Sequence, residues 1–194
     1  MKKFTALMLA LMMSLSLVAC GNKADDSNNA DDANTDNNTE QTGGTLVLGT
    51  SADYTPYEFM YADDSGTMQY AGIDISAGQY IADELGMELK VEDMAFDAII
   101  PSVASGKCDF AMAGMTVNPE RAASVDFTDT YASSSLVILV KADNTEITGE
   151  DTLAGHVVGA QLGTTGDTTA SDICGDDKVE RYNTFFEAVQ SLKQ

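Results

Sequence analysis

Between Ala111 and Arg121 the chain reads Ala-Met-Ala-Gly-Met-Thr-Val-Asn-Pro-Glu-Arg. The small apolar residues have the pattern of a buried strand, and at its end come Gly114, Thr116 and, past Pro119, Arg121. A guanidinium is a planar fork of donors that matches a carboxylate. A glycine and a hydroxyl just upstream leave room and hydrogen-bonding groups for the rest of a small polar ligand. The same spacing also fits an arginine on a helix surface, paired with one of the chain's many acids, which is a common arrangement. A second anion-binding candidate is Gly163-Thr164-Thr165-Gly166, ahead of a predicted helix start. Free backbone N–H groups there favour an anion by about 0.3–1 kcal/mol. Hydrogen bonds to a charged partner contribute about 1.5–3 kcal/mol each, so the arginine would dominate.

The elements that must hold these residues alternate. Leu46-Val47-Leu48 reads as a strand, and the loop from Gly49 to Phe59, with Tyr54 and Tyr57 around Pro56, leaves its carboxyl end. In open α/β sheets ligands bind outside that end, so aromatics there can wall a pocket. Ser76 to Leu85 is a predicted helix with Ile81 and Leu85 on its buried face, Met87 to Val91 a strand, Phe96 to Ser105 a helix, and Cys108 to Gly114 the strand that feeds Thr116 and Arg121. Ser133 to Val140 is continuous enough to predict a fully buried strand. Beyond it come strands at Val157 to Ala160 and Val179 to Tyr182, and helices at Asp167 to Ile173 and Phe185 to Lys193. The pattern is α/β with a mostly parallel sheet.

Composition bounds the partners. The chain has 194 residues, 44% hydrophobic and 21% charged, with a formal net charge of -21. Nucleic acid and anionic membrane surfaces would repel it. Residues 1–19 have the form of a signal peptide: Met1-Lys2-Lys3, an apolar run from Ala6 to Val18 too short for a stable span, then Leu17-Val18-Ala19-Cys20. The cysteine after small residues resembles a lipoprotein signal, which implies a lipidated Cys20 and an anchor at the outer face of a cell membrane. Residues 20–44 carry no aromatic or large aliphatic side chain and are expected to be a disordered acidic tether.

Seven segments in order carry a further resemblance: Gly49 to Phe59, Gly72-Ile73-Asp74, Phe96-Asp97-Ala98-Ile99-Ile100-Pro101, Ser105-Gly106-Lys107, Met115 to Arg121, Val125-Asp126-Phe127-Thr128, and Gln161 to Gly166. From Thr45 onward the chain resembles the polar amino-acid family of extracellular solute-binding proteins that serve ABC importers. The resemblance implies a two-lobe type II periplasmic binding protein, the Venus flytrap fold, with lobe 1 at 45–140, including a first hinge strand, and a partial lobe 2 at 141–194. It implies an amino-acid ligand, ABC permease subunits as partners, a monomer and no cofactor or metal. Residue by residue, it gives Arg121 the ligand α-carboxylate, and Thr116 with the Gly114 backbone the ammonium and carboxylate edges. Tyr54 and Phe96 would sandwich the side chain, and Thr165 would reach the carboxylate from lobe 2. Where relatives that bind basic amino acids have an aspartate, this chain has Ser51, with Asp53 nearby, which weakens arginine or lysine as the implied ligand. Glu58 is open to two roles, holding a cationic side chain or bracing the loop. The family continues beyond Gln194, so the chain reads as a fragment with the second lobe incomplete.

Other residues carry less chemistry. His156 is the only histidine and has no cluster of metal-ligating neighbours, and Cys108 and Cys174 lack redox spacing. No nucleophile elbow, P-loop or dinucleotide glycine pattern is present. Readings from other classes remain open: a prephenate-type dehydratase on this scaffold, for which Asp53, Glu58 or His156 would have to act as acid or base, or the sensing half of a receptor.

Overall fold

Leu46, Val47 and Leu48 form the middle of β1 (Thr45–Thr50) in the structure, a computed structural model that describes residues 43–194. The leader, Cys20 and all of the tether except Gly43 and Gly44 lie outside the described residues. Leu48 and Thr50 are fully buried, as befits a strand covered on both sides. A three-stranded antiparallel meander follows β1: β2 (Asp53–Tyr54), β3 (Glu58–Ala62) and β4 (Met68–Ala71). It gives way to α1 (Ile73–Leu85), β5 (Glu88–Asp93), α2 (Ile99–Ala104) and β6 (Phe110–Ala111). β1 lies between β5 and β6, parallel to both. The β5 pairing runs the length of β1, from Thr45 opposite Glu88 to Thr50 opposite Asp93, whereas β6 pairs only at Leu48 and Gly49.

The junction between β4 and α1 depends on one glycine. Gly72 has φ +124°, and a Cβ on it would lie 2.1 Å from the Tyr57 carbonyl oxygen. That carbonyl accepts from the Asp74 N–H at 2.9 Å, so the start of α1 is fastened to the loop before β3. Gly72→Ala is therefore expected to destabilise the fold by about 3 kcal/mol, combining a disfavoured backbone region with a backbone clash. The measurement is the denaturant midpoint at unchanged slope, and an unshifted midpoint would show that the Tyr57 carbonyl yields at no cost.

After the short helix α3 (Pro119–Ala122), the chain runs without regular structure to the turn ending at Thr152. It then forms β7 (Val158–Gln161), α4 (Thr165–Cys174), β8 (Val179–Tyr182) and α5 (Phe185–Lys193). β7 and β8 are parallel, and Ala160, Ala170 and Val179 pack beneath them with Val158. α5 starts on a reciprocal cap: the Thr184 hydroxyl accepts from Glu187 N–H while the Glu187 carboxylate accepts from Thr184 N–H. Among the described residues no helix is long and apolar enough to cross a membrane.

Four sequence expectations fail. Ser133 to Val140 is not a buried strand: Leu136, Val137, Ile138 and Leu139 are 61%, 86%, 40% and 54% exposed. No described strand lies beside this segment to complete its backbone hydrogen bonds, and apolar content alone does not make a ladder. Ile81 and Leu85 face outward, because the buried stripe of α1 is Asp74, Ile75, Gly78 and Ala82. Small side chains on that stripe let the helix approach the sheet, which periodicity in large aliphatics does not reveal. The loop after β1 is mostly meander, and the strand expected over Cys108 to Gly114 keeps only Phe110 and Ala111. Cys108 and Cys174 are both free thiols.

Candidate functional site

Arg121 is held by its own helix. Asn118 caps α3, its side-chain oxygen accepting from Arg121 N–H at 2.8 Å, and Pro119 takes the first helical position, where a missing N–H costs little. The side chain turns inward and is 8% exposed. Nη1 donates to the Thr116 carbonyl at 2.6 Å and Nη2 to the Gly163 carbonyl at 2.9 Å. The guanidinium carbon sits 5.4 Å from the Phe96 ring centroid, within cation–π range. Burial pulls the guanidinium below its ordinary pKa, an effect opposed by the charge of Glu120. Among the described residues no carboxylate is in ion-pair contact with it. A buried cation capped only by neutral carbonyls and a ring is incomplete, and it favours an incoming anion.

The opposite wall comes from the β7–α4 loop. Gly163 has φ +75°, and a Cβ there would come 2.9 Å from Asp97 Cβ, so only glycine fits between the two segments. Its N–H donates to Asp167 Oδ2 at 3.0 Å. Asp167 is in turn gripped by Arg181 Nε, at 2.9 and 3.1 Å to its two oxygens, while Arg181 Nη2 reaches Asp176 and Ser171. Arg181 therefore has its carboxylates already, which separates it from Arg121.

Five of the eight expected site residues fall on two adjoining hollows. Tyr54, Gly114 and Thr116 line the first, of about 330 Å³, together with Tyr57 and Tyr131. Phe96 and Arg121 line the second, of about 260 Å³, together with Asn118, Gly163 and Thr168. Met115 borders both. Tyr54 stacks on Tyr57 at 5.6 Å and 10° between planes, while Phe96 lies against the guanidinium, so the two rings belong to different walls. The Gly114 N–H is already donated to Asp74 Oδ2 at 3.0 Å, and Thr116 contributes its carbonyl to Arg121.

Thr165, Ser51 and Glu58 line neither hollow. Thr165 is the half-buried first residue of α4, whose cap is Thr164. Ser51 is buried with its hydroxyl 3.4 Å from Asp53 Oδ1. Glu58 is 1% exposed beneath the first hollow, and burial followed by the charge of Asp74 pushes its carboxyl up to about 9.

Three participants were not singled out from the sequence. Asp74 stood only as part of a motif, although an acid in the first turn after Gly72 was a usable signal. Gly163 stands within the Gly163-Thr164-Thr165-Gly166 motif, but its carbonyl, like Tyr131, acts through a tertiary contact that spacing does not reveal. Among the described residues no cluster of His, Cys, Asp or Glu is arranged to hold a metal ion.

Residues 46–194 match the family model for bacterial extracellular solute-binding proteins, family 3. The chain belongs to that family. It is 31% identical over 195 residues to the arginine-binding extracellular protein ArtP of Bacillus subtilis (strain 168), covering 100% of this chain and 69% of that protein. It is 35% identical over 173 residues to a probable histidine-binding protein of Campylobacter jejuni, covering 89% and 63%. Among solved structures, an ancestral arginine-binding protein bound to arginine superposes with a TM-score of 0.70 at 39% identity, covering 77% of this chain and 66% of that one. The family 3 chain therefore spans roughly two thirds of these relatives' length. Its mixed α/β elements are part of the type II fold of periplasmic amino-acid-binding proteins.

Proposed function

We propose that this family 3 protein captures a polar amino acid outside the cytoplasm and presents it to an ABC importer, with L-arginine as the first candidate ligand. The observation that carries this reading is the buried Arg121 guanidinium, which lines a cleft and, although Asp97 and Glu120 line the same cleft, has no carboxylate in ion-pair contact among the described residues. A ligand α-carboxylate completes it, and the Phe96 ring and the Gly163 carbonyl set its orientation. Tyr54 and Tyr57 offer an aromatic wall for the side chain. The names of two relatives, an arginine-binding protein of Bacillus subtilis and an ancestral protein bound to arginine, support the ligand.

In this reading residues 45–140 and 141–194 belong to two lobes that close on the ligand, and the permease subunits recognise the closed shape. The protein acts as a monomer, without catalysis or cofactor. Export and a lipid anchor on Cys20 would keep it at the membrane, with residues 20–44 as its reach. Ser51 removes one acid from the place where basic ligands are held in relatives, and Asp53 beside it lines neither hollow.

The test is calorimetric titration of the full-length chain with L-arginine, L-histidine and L-glutamine. Saturable binding of one of them, without turnover, is the expected result. No heat from any amino acid in a wider panel overturns the reading.

A further inference from the structure

Ligand capture as described leaves two acids unused. Glu58 of β3 and Asp74 of α1 are 1% and 0% exposed, beneath the first hollow. Both carboxyl groups close on Gly114: its N–H donates to Asp74 Oδ2, and a Cβ there would lie 4.0 Å from Glu58 Oε1. Each keeps one buried oxygen without a partner, Glu58 Oε2 and Asp74 Oδ1. The other oxygen of Asp74, Oδ2, accepts from the Gly114 N–H and from the Tyr131 hydroxyl, each at 3.0 Å. Two ionised carboxylates side by side in a dry pocket repel each other, whereas one proton between the orphaned oxygens satisfies both.

We propose that Glu58 keeps a proton and donates it to Asp74, and that this pair is a positioning device for the ligand cleft. Through Asp74 Oδ2 it fixes the Gly114 backbone and the Tyr131 side chain, both of which line the first hollow. When Glu58 loses its proton to solvent, the two negative charges separate, and the anchor of Gly114 and Tyr131 loosens. The other ionisable groups acting here do not rescue it: Asp53 of β2 adds negative charge, and Tyr131 faces the same pair. Ligand affinity then falls in alkali because the wall of the cleft moves. This inference rests on the amino-acid-binding reading above.

The experiment is titration of the full-length chain with L-arginine from pH 6 to pH 10, beside Glu58→Gln, whose amide keeps a donor toward Asp74 and cannot ionise. The ligand's own ammonium titrates identically against both proteins, so the difference between their profiles reads the pair. The natural chain is expected to lose about fivefold more affinity across this range than the variant. Parallel profiles would overturn the proposal, because a merely structural brace changes stability without changing the pH slope of binding.

Infrared spectra of the natural chain supply a measurement that needs neither the variant nor a ligand. A protonated-carboxyl band is expected at pH 7 and should vanish by about pH 10. Its absence at pH 7 sinks the pair. The band without binding of any amino acid sinks the ligand reading, and the positioning role with it, while leaving the shared proton in place.

Discussion

Arg121→Ala is expected to weaken L-arginine binding by a factor on the order of a hundred to ten thousand. The estimate follows from losing two charge-assisted hydrogen bonds to the ligand carboxylate, each worth about 1.5–3 kcal/mol. The loss should appear mostly in the dissociation rate, because the chain's acidity governs encounter and is barely altered. Arg121→Lys should fall between the two. It keeps a positive charge but loses the fork that can grip a carboxylate and the flat face that lies on Phe96. The variants must first be shown to fold, since Arg121 also joins Thr116 to Gly163. Circular dichroism settles that before calorimetry is run. Binding by a folded alanine variant within about threefold of the natural chain would mean that another group holds the carboxylate.

The second large effect is on stability, and it requires no ligand. The Glu58 carboxyl is raised from 4.5 to about 9, first by burial and then by the charge of Asp74. A raised carboxyl makes the folded state bind more protons than the unfolded state wherever the pH lies between those values. Stability contributed by the neutral group is therefore complete below about pH 4.5 and is lost as pH rises toward 9, at up to about 1.4 kcal/mol per pH unit. Over that window the loss is comparable to a sizeable part of a domain's whole stability. Other carboxylates act in the opposite sense at the acid end; Asp63, held down to about 2 by Ser65, Gln69 and Thr67, is one. The melting temperature should thus fall steadily from pH 6 to pH 9 in the natural chain. Glu58→Gln should flatten that slope, and a slope unchanged by the substitution would show that Glu58 is already ionised near neutrality.

How far the sequence could be read depends on where each signal resides. β8 and α5 emerge at the expected residues, because their start and stop signals are local: a turn before Val179 and the Thr184–Glu187 cap. The meander and the exposed segment around Val137 are not legible in the sequence, because both depend on which strand lies alongside, and a run of aliphatic residues carries no information about its neighbour. The site shows the same division. Arg121, Gly114 and Phe96 could be named from spacing and from resemblance, and all three line the cleft. That Arg121 would be buried without a carboxylate could not be foreseen in a chain so rich in acids. Nor could the partnership of Glu58 with Asp74, which depends on β3 and α1 meeting at Gly72.

The contact between Arg121 and the Gly163 carbonyl has a kinetic consequence. A guanidinium has more N–H donors than its bonds to Thr116 and Gly163 use, so a carboxylate can be received without breaking either. Stripping water from this cation is a cost met when the protein folds, not when the ligand arrives. In the proposed function the ligand then meets a guanidinium that is already placed, and the reorganisation that remains is the closing of the lobes. The selective pressure on Gly163 would come from the shape of the empty cleft as much as from the full one.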